Sequence, residues 1–223
     1  MGDLSLKPSP YESVLLRDVT GTTIRPGGLT LTDRALELCS FAIGTQLLDV
    51  GCGAGASVEH LRSCYGYDAC GVDISPTLIA EGLLRNPALQ LSVAAAEALP
   101  FAADSFDGIL CECVLSLVEE PLKALAEFER MLRSGGSLIL SDLYVKTATE
   151  PKGNLRGAVT RNQAESWLTQ SGFTIVMWED HTALLNELAA RLILAGCSLD
   201  GLCCGTSGSG QRPGYYLLVA RTA

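Results

Sequence analysis

The residues best suited to chemistry lie in the segment LLDVGCGAGA (47–56), where a short apolar run ends at Gly51 and glycine recurs at Gly53 and Gly55. Without Cβ atoms, such a turn lets a ligand lie directly against the backbone. Asp49, two residues before the first glycine, can anchor the loop or a ligand's ammonium group. About 20 residues further on, a second apolar run ends in Asp73, whose carboxylate can accept both hydroxyls of a ribose. A third feature, AAEALPF (95–101), precedes another apolar run. Cysteines form a separate set. Cys111 and Cys113 are two apart, so an extended chain would point both thiols the same way. Cys197, Cys203 and Cys204 cluster near the end of the chain. Of the two histidines, His60 reads as surface decoration within a helix and His181 as a capping residue after Glu179 and Asp180.

The glycines alone discriminate weakly between ligands. A dinucleotide fingerprint, G-x-G-x-x-G, expects its third glycine at position 56, where Ala56 stands and is tolerated. Gly55, however, comes one residue early for that spacing. Together with Asp49, this favours S-adenosylmethionine over NAD. An NAD-type oxidoreductase would also need a hydride-transfer acid, and none is obvious. A non-catalytic adenosylmethionine- or metal-binding module and a glycine turn with no ligand are the other readings.

Alternating strands and helices must position these residues. Strands are predicted at 46–51, 68–73, 89–94, 105–113, 137–144, 173–180 and 215–221, the first a buried apolar run of parallel-sheet type. Helical spacing covers 56–65, 76–84, 121–132, 161–171 and 182–195. Ser75 and Pro76 start the second of these helices, and Ser134-Gly135-Gly136 close the third. Alternation of this kind implies an α/β fold, a parallel sheet with helices on both faces. Residues 1–45 read as an N-terminal cap segment with a helix from Thr32. Residues 181–214 read as a helix and a Cys/Gly-rich loop inserted before the last strand. The whole chain, 1–223, is expected to form one domain.

Composition narrows the partners. Hydrophobic residues make up 48% and charged residues 18%, as in an ordinary folded core rather than a disordered chain. No apolar run approaches the roughly 20 residues of a membrane span, and the N-terminus lacks the layout of a signal peptide, so a cytoplasmic location is expected. A net charge of −9 with scattered basic residues weakens a nucleic-acid partner. Such a surface does not repel a cationic sulfonium. Nine cysteines at irregular spacing do not form a secreted disulfide framework. Cys39, Cys64 and Cys70 are expected in the core.

LLDVGCGAG, GVDIS, AEALPF…SFDGIL and LRSGGSLILSD resemble, in order and spacing, the signature segments of class I S-adenosylmethionine-dependent methyltransferases, over roughly residues 45–180. Within that family the chain resembles the small-molecule group that includes ubiquinone/menaquinone-type and arsenite methyltransferases. The resemblance implies a Rossmann-like seven-stranded sheet of order 3-2-1-4-5-7-6 with the last strand antiparallel. By position it puts Asp49, Gly51, Gly53 and Gly55 along the cofactor's methionine part and sugar, and Asp73 on the ribose. Ile74 then packs on the adenine, Ala96 and Glu97 lie beside its edge, and Cys111 ends strand four near the sulfonium. Many relatives have Asp where this chain has Ala95. CECVLSL (111–117) is similar to the arsenite methyltransferase segment in which a cysteine binds trivalent arsenic, with Cys113 at that position. A further arsenic-binding cysteine of that branch is replaced here by Asn154. The implied acceptor is a small molecule, with a thiol or a metalloid as candidates, Cys113 as acceptor-site thiol and Cys197, Cys203 and Cys204 as candidate thiolates closing over the same rim.

Overall fold

A computed structural model describes residues 20, 21, 23–146, 157–197 and 213–223. Asn154, Cys203 and Cys204, named in the sequence analysis, lie outside the described residues.

Apolar residues alternate along the central strands, and both faces of the sheet are buried. β1 (Gln46–Val50), β2 (Asp68–Asp73), β3 (Leu91–Val93), β4 (Phe106–Glu112) and β5 (Leu132–Val145) pair in parallel. β6 (Val159–Thr160) is a two-residue addition beside the end of β5. β7 (Phe173–Asp180) and β8 (Gly214–Thr222) complete the order β3-β2-β1-β4-β5-β8-β7, with β8 antiparallel to both neighbours. Without the β6 bridge this is the expected 3-2-1-4-5-7-6.

Helices α1 (Gly28–Cys39), α2 (Ala56–Tyr65), α3 (Pro76–Arg85) and α6 (Thr182–Leu194) contribute to one core cluster, with Leu31, Leu36, Leu61, Ile79 and Leu188. α4 (Pro121–Met131) and α5 (Arg161–Gln170) contribute Leu125, Phe128 and Leu168 to the cluster on the other face. Sheet residues divide between the two by parity: Leu47, Leu110, Ile139 and Leu217 face the first, Leu48, Ile109, Leu138 and Leu218 the second.

Of the boundaries that differ from the sequence reading, three differ in kind. α1 begins at Gly28 rather than Thr32, because the left-handed Gly27 starts the turn before the apolar periodicity becomes visible. β3 is only three residues long, and two of them are exposed. Ser134-Gly135-Gly136, expected as a helix stop, lie inside β5, which starts directly after α4 at Leu132. Ser75 caps α3 as expected, its hydroxyl accepting the Leu78 N–H at 3.2 Å. Cys39 is buried, but Cys70 is only partly buried and Cys64 is exposed. Among the described residues no helix is long and apolar enough to cross a membrane.

Candidate cofactor and acceptor site

The parallel strands β1, β2 and β4 end on one rim, and the chain leaves each through a loop. Together with residues 23–25 ahead of α1, these loops enclose a cavity of about 620 Å³, within the range that holds drug-sized ligands. One end of it is walled by Asp73, Ile74, Leu78 and Ala94–Glu97, the other by Arg25, Glu112, Cys113 and Val114, and the glycine turn lies between.

Asp73 organises the first end. Its Oδ2 accepts the Gly53 N–H and its Oδ1 the Ser75 N–H, each at 2.8 Å. Each oxygen thus ties one loop in place and keeps lone-pair capacity for a ligand. Gly53 has φ +55°, and a Cβ there would meet no protein atom within 4 Å. Since Gly53 lines the cavity, that space opens into it. Ile74 presents a largely exposed side chain, 75% accessible, where a flat ring could pack. Ala96 and Glu97 are on the wall as well, and Ala95 and Ala98 form an isolated bridge that shapes this loop.

Three residues expected at the ligand stand behind the wall or away from it. Gly55 is not part of the lining; its left-handed backbone is packed so closely on Leu89 and Leu91 that a Cβ would come within 2.8 Å of Leu91. Asp49 is 3% exposed on the α1 face of β1, beneath the turn. Burial, reinforced by nearby Glu112 and Asp73 and opposed by Arg25, pushes its carboxyl up to about 7. Cys111 is fully buried and faces the other way, into the cluster of Leu125 and Phe128. The parity of β4 explains this: Cys111 shares its face with Ile109, whereas the cavity-side cluster takes Leu110.

Cys113 does not follow that parity. Its φ of +60° is uncommon for a residue with a side chain, and it returns the chain to the α1 face just after β4 ends. There Cys113 lines the cavity, 8% exposed, with Sγ 3.0 Å from the Tyr215 hydroxyl. Tyr215 in turn donates to Ser141 Oγ at 3.0 Å. Burial, reinforced by Cys113, holds the Tyr215 phenol well above its usual range. The loop that follows is pinned by Asp142, which accepts the Ser116 N–H at 2.8 Å and the Ser116 hydroxyl at 2.7 Å. That pin sets Val114, Leu117 and Val118 along the cavity edge.

Sequence reading missed Arg25. In the segment ahead of α1, Arg25 Nη2 lies 2.9 Å from Glu112 Oε2, 2.6 Å from Thr32 Oγ1 and 3.1 Å from Ser57 Oγ. Thr32 also donates to Glu112 at 3.1 Å. Burial opposes the guanidinium charge, but Glu112 and Asp49 outweigh it and raise the Arg25 pKa. Glu112 is raised by burial, against the pull of Arg25 and Thr32. The only available signal was an arginine before Pro26-Gly27-Gly28.

The remaining candidates lie elsewhere. His60 is not mere surface decoration: Nε2 is 2.6 Å from Asp33 Oδ1, which also accepts the Tyr65 hydroxyl at 2.8 Å, joining α1 to α2. His181 occupies the N-cap of α6 without a side-chain cap bond; its Nε2 sits 3.0 Å from Glu179 Oε2 instead. Cys197 is partly buried against the α1-face core and does not line the cavity. Among the described residues no three His, Cys, Asp or Glu side chains are placed to hold a metal ion.

Comparison with known proteins is consistent with this geometry. A family described as "Methyltransferase domain" matches residues 48–140. The demethylmenaquinone methyltransferase of Beutenbergia cavernae is 31% identical over 193 residues, 78% of each chain. That of Renibacterium salmoninarum is 37% identical over 99 residues, 44% of this chain and 41% of its own length. In structure, phosphoethanolamine N-methyltransferase 2 of Haemonchus contortus, solved with phosphomonomethylethanolamine and S-adenosylhomocysteine, superposes with a TM-score of 0.78 at 22% identity, covering 93% of this chain and 56% of that one.

Proposed function

Because this chain belongs to the S-adenosylmethionine-dependent methyltransferases, we propose that it methylates a small, soft acceptor, a thiol or a metalloid, which enters the cavity beside Cys113. The observation that carries the cofactor half is Asp73, whose two oxygens fix the loops on either side while facing the cavity. Asp73 would hold the ribose, Gly53 would leave room for the cofactor's backbone contact, and Ile74, Ala96 and Glu97 would bracket the adenine. When bound, S-adenosylmethionine supplies an electrophilic methyl group on a cationic sulfur.

The chain's own part in that reaction is placement and field. Four carboxylates on the wall, Asp73, Glu97, Glu112 and Glu119, face one guanidinium, Arg25. That excess of negative charge favours a cationic ligand and disfavours a simple anion. Val114, Leu117 and Val118 give the acceptor end an apolar edge that limits water. An in-line methyl transfer would need mainly proximity and orientation, which the lining of this cavity would supply. Support for a soft acceptor comes from the Cys113 sulfur on this wall.

Calorimetric titration of the full chain with S-adenosylmethionine, S-adenosylhomocysteine and NAD checks the cofactor, and turnover on thiols, arsenite, selenite and phenols checks the acceptor. Cys113→Ser is expected to abolish turnover on the soft acceptors while S-adenosylhomocysteine binds as before. Undiminished turnover by that variant, or turnover confined to phenols, would remove the soft-acceptor reading.

A further inference from the structure

We infer that Tyr215 is a positioning residue for the Cys113 thiol: its hydroxyl holds the sulfur at the cavity wall and turns from Ser141 to that sulfur when the thiol gives up its proton to a soft ligand. The inference rests on the acceptor reading above and deepens it. Strand register brings the three side chains together. Ser141 on β5 lies opposite Glu112 on β4, and Leu143, two residues further along β5, lies opposite Tyr215 on β8. The left-handed Cys113 then donates its N–H to the Ser141 carbonyl at 2.7 Å, with Sγ 3.0 Å from the Tyr215 hydroxyl. That hydroxyl is also 3.0 Å from Ser141 Oγ.

A phenol has one proton to donate and can accept as well. While Cys113 is a thiol, its S–H donates to Tyr215 and Tyr215 donates to Ser141. Without that proton the sulfur can only accept, so the phenol turns to it and the Ser141 hydroxyl donates to the phenol oxygen. Each group keeps a partner in both states, as a buried cluster requires. A soft acceptor that carries hydroxide, arsenite among them, takes the sulfur in exchange. The sulfur–arsenic bond forms, the arsenic–oxygen bond breaks, and the thiol proton leaves with the hydroxide as water.

The surroundings leave this task to Tyr215. The phenol is fully buried, and burial keeps its proton on, so it remains a donor at neutral pH. The ionisable groups around the pair are Arg25 ahead of α1, Glu112 on β4 and Asp49 on β1. Arg25 and Glu112 are bound to each other at 2.9 Å, so the sulfur has no cation of its own. α1 and α6 put Leu31, Leu36, Leu188 and Leu192 into this core cluster, with Cys39 at the end of α1. Tyr216 lies in the cluster on the other face of the sheet. In such a setting one hydrogen bond to a sulfur anion carries the weight that a neighbouring cation carries elsewhere.

Peptide-resolved mass spectrometry of the full chain, treated with iodoacetamide from about pH 6 to 10, gives the alkylation rate at each cysteine. In that reaction the sulfur–carbon bond forms as iodide leaves, and the thiol proton goes to water. Y215F is expected to slow Cys113 about tenfold at neutral pH and to move its rate profile up by about one pH unit. The exposed Cys64 should react as before. S141A keeps the bond between Tyr215 and the sulfur, so Cys113 should stay within about threefold of its original rate. Should Y215F fail to fold, Y215F/S141A removes both hydroxyls and carries the same expectation as Y215F. An unmoved Cys113 profile in the tyrosine variant overturns the inference. A profile moved as far in S141A overturns it too, since buried packing is then the cause. With arsenite, Y215F should raise KM about tenfold and change kcat less than about threefold; the reverse split also overturns it. If the unaltered protein turns over no soft acceptor while its Cys113 profile depends on Tyr215, the acceptor reading fails and the positioning of the thiol stands.

Discussion

Replacing Asp73 by alanine separates what this carboxylate does for the fold from what it does for a ligand. The side chain is 9% exposed, and each oxygen already accepts one backbone N–H at 2.8 Å, from Gly53 and from Ser75. Of about four lone-pair positions on a carboxylate, two remain for the cavity. In Asp73→Ala the two N–H groups lose their acceptor beside an open cavity, where water can replace it, so the fold should lose only about 1–2 kcal/mol. The ligand loses a charged acceptor for its ribose hydroxyls, about 2–3 kcal/mol, or roughly 30- to 150-fold in Kd. Asp73→Asn keeps one acceptor but sets an amide N–H₂ against Gly53 or Ser75, so it should fall between the two in affinity while losing at least as much stability. Calorimetry with S-adenosylhomocysteine gives the affinities, and urea denaturation gives the stabilities. If folded Asp73→Ala binds within about threefold of the unaltered chain, the carboxylate serves the loops alone and the ribose assignment is wrong.

Further outcomes follow from Asp49 and Gly53. The Asp49 carboxyl, raised to about 7 chiefly by burial, keeps its proton in the folded chain up to that pH but loses it near pH 4 when unfolded. The folded state therefore binds more protons between these values, and this group's contribution to stability is lost as pH rises through them and is flat above. Asp49→Asn should remove that decline, at most about 4 kcal/mol; urea curves at pH 5 and pH 8 that differ from the unaltered chain by the same amount would show that Asp49 is not the source. Gly53→Ala should cost about 1 kcal/mol of stability, for its left-handed φ, but weaken S-adenosylhomocysteine binding about tenfold as the methyl enters the ligand's space. Normal binding by that variant would make the turn structural only.

Much of the fold was legible because its signals are local. The apolar run into Gly51, the cap at Ser75 and the alternation of strand and helix each depend on residues a few positions apart, and β1, α2 and β2 fall where the spacing places them. Asp73 was legible for the same reason, as the residue ending a strand one unit after the glycine turn. Arg25 was not, since its partner Glu112 is 87 residues away and nothing in RPGG shows that the segment meets the end of β4. The same holds for His60, whose partner Asp33 lies on another helix 27 residues earlier. Asp49 was assigned to the ligand as the residue before the glycines and Gly55 as the last of them, while strand parity sends one beneath the turn and close packing on Leu91 withdraws the other. Cys111 and Cys113 were paired by assuming an extended backbone, which the left-handed Cys113 breaks.

That backward turn at Cys113 has a consequence for how these sulfur atoms respond to reagents. With Cys111 packed under α4 and Cys113 beside Tyr215, the sheet itself stands between two thiols that are adjacent but one in sequence. A dithiol-specific arsenical cannot chelate them as a pair, and a mild oxidant cannot join them, because a disulfide needs Cβ atoms about 4 Å apart and aimed at each other. Cys113 therefore meets any soft species as a single donor. The second donor for such a species has to come from a different part of the chain or from the acceptor itself.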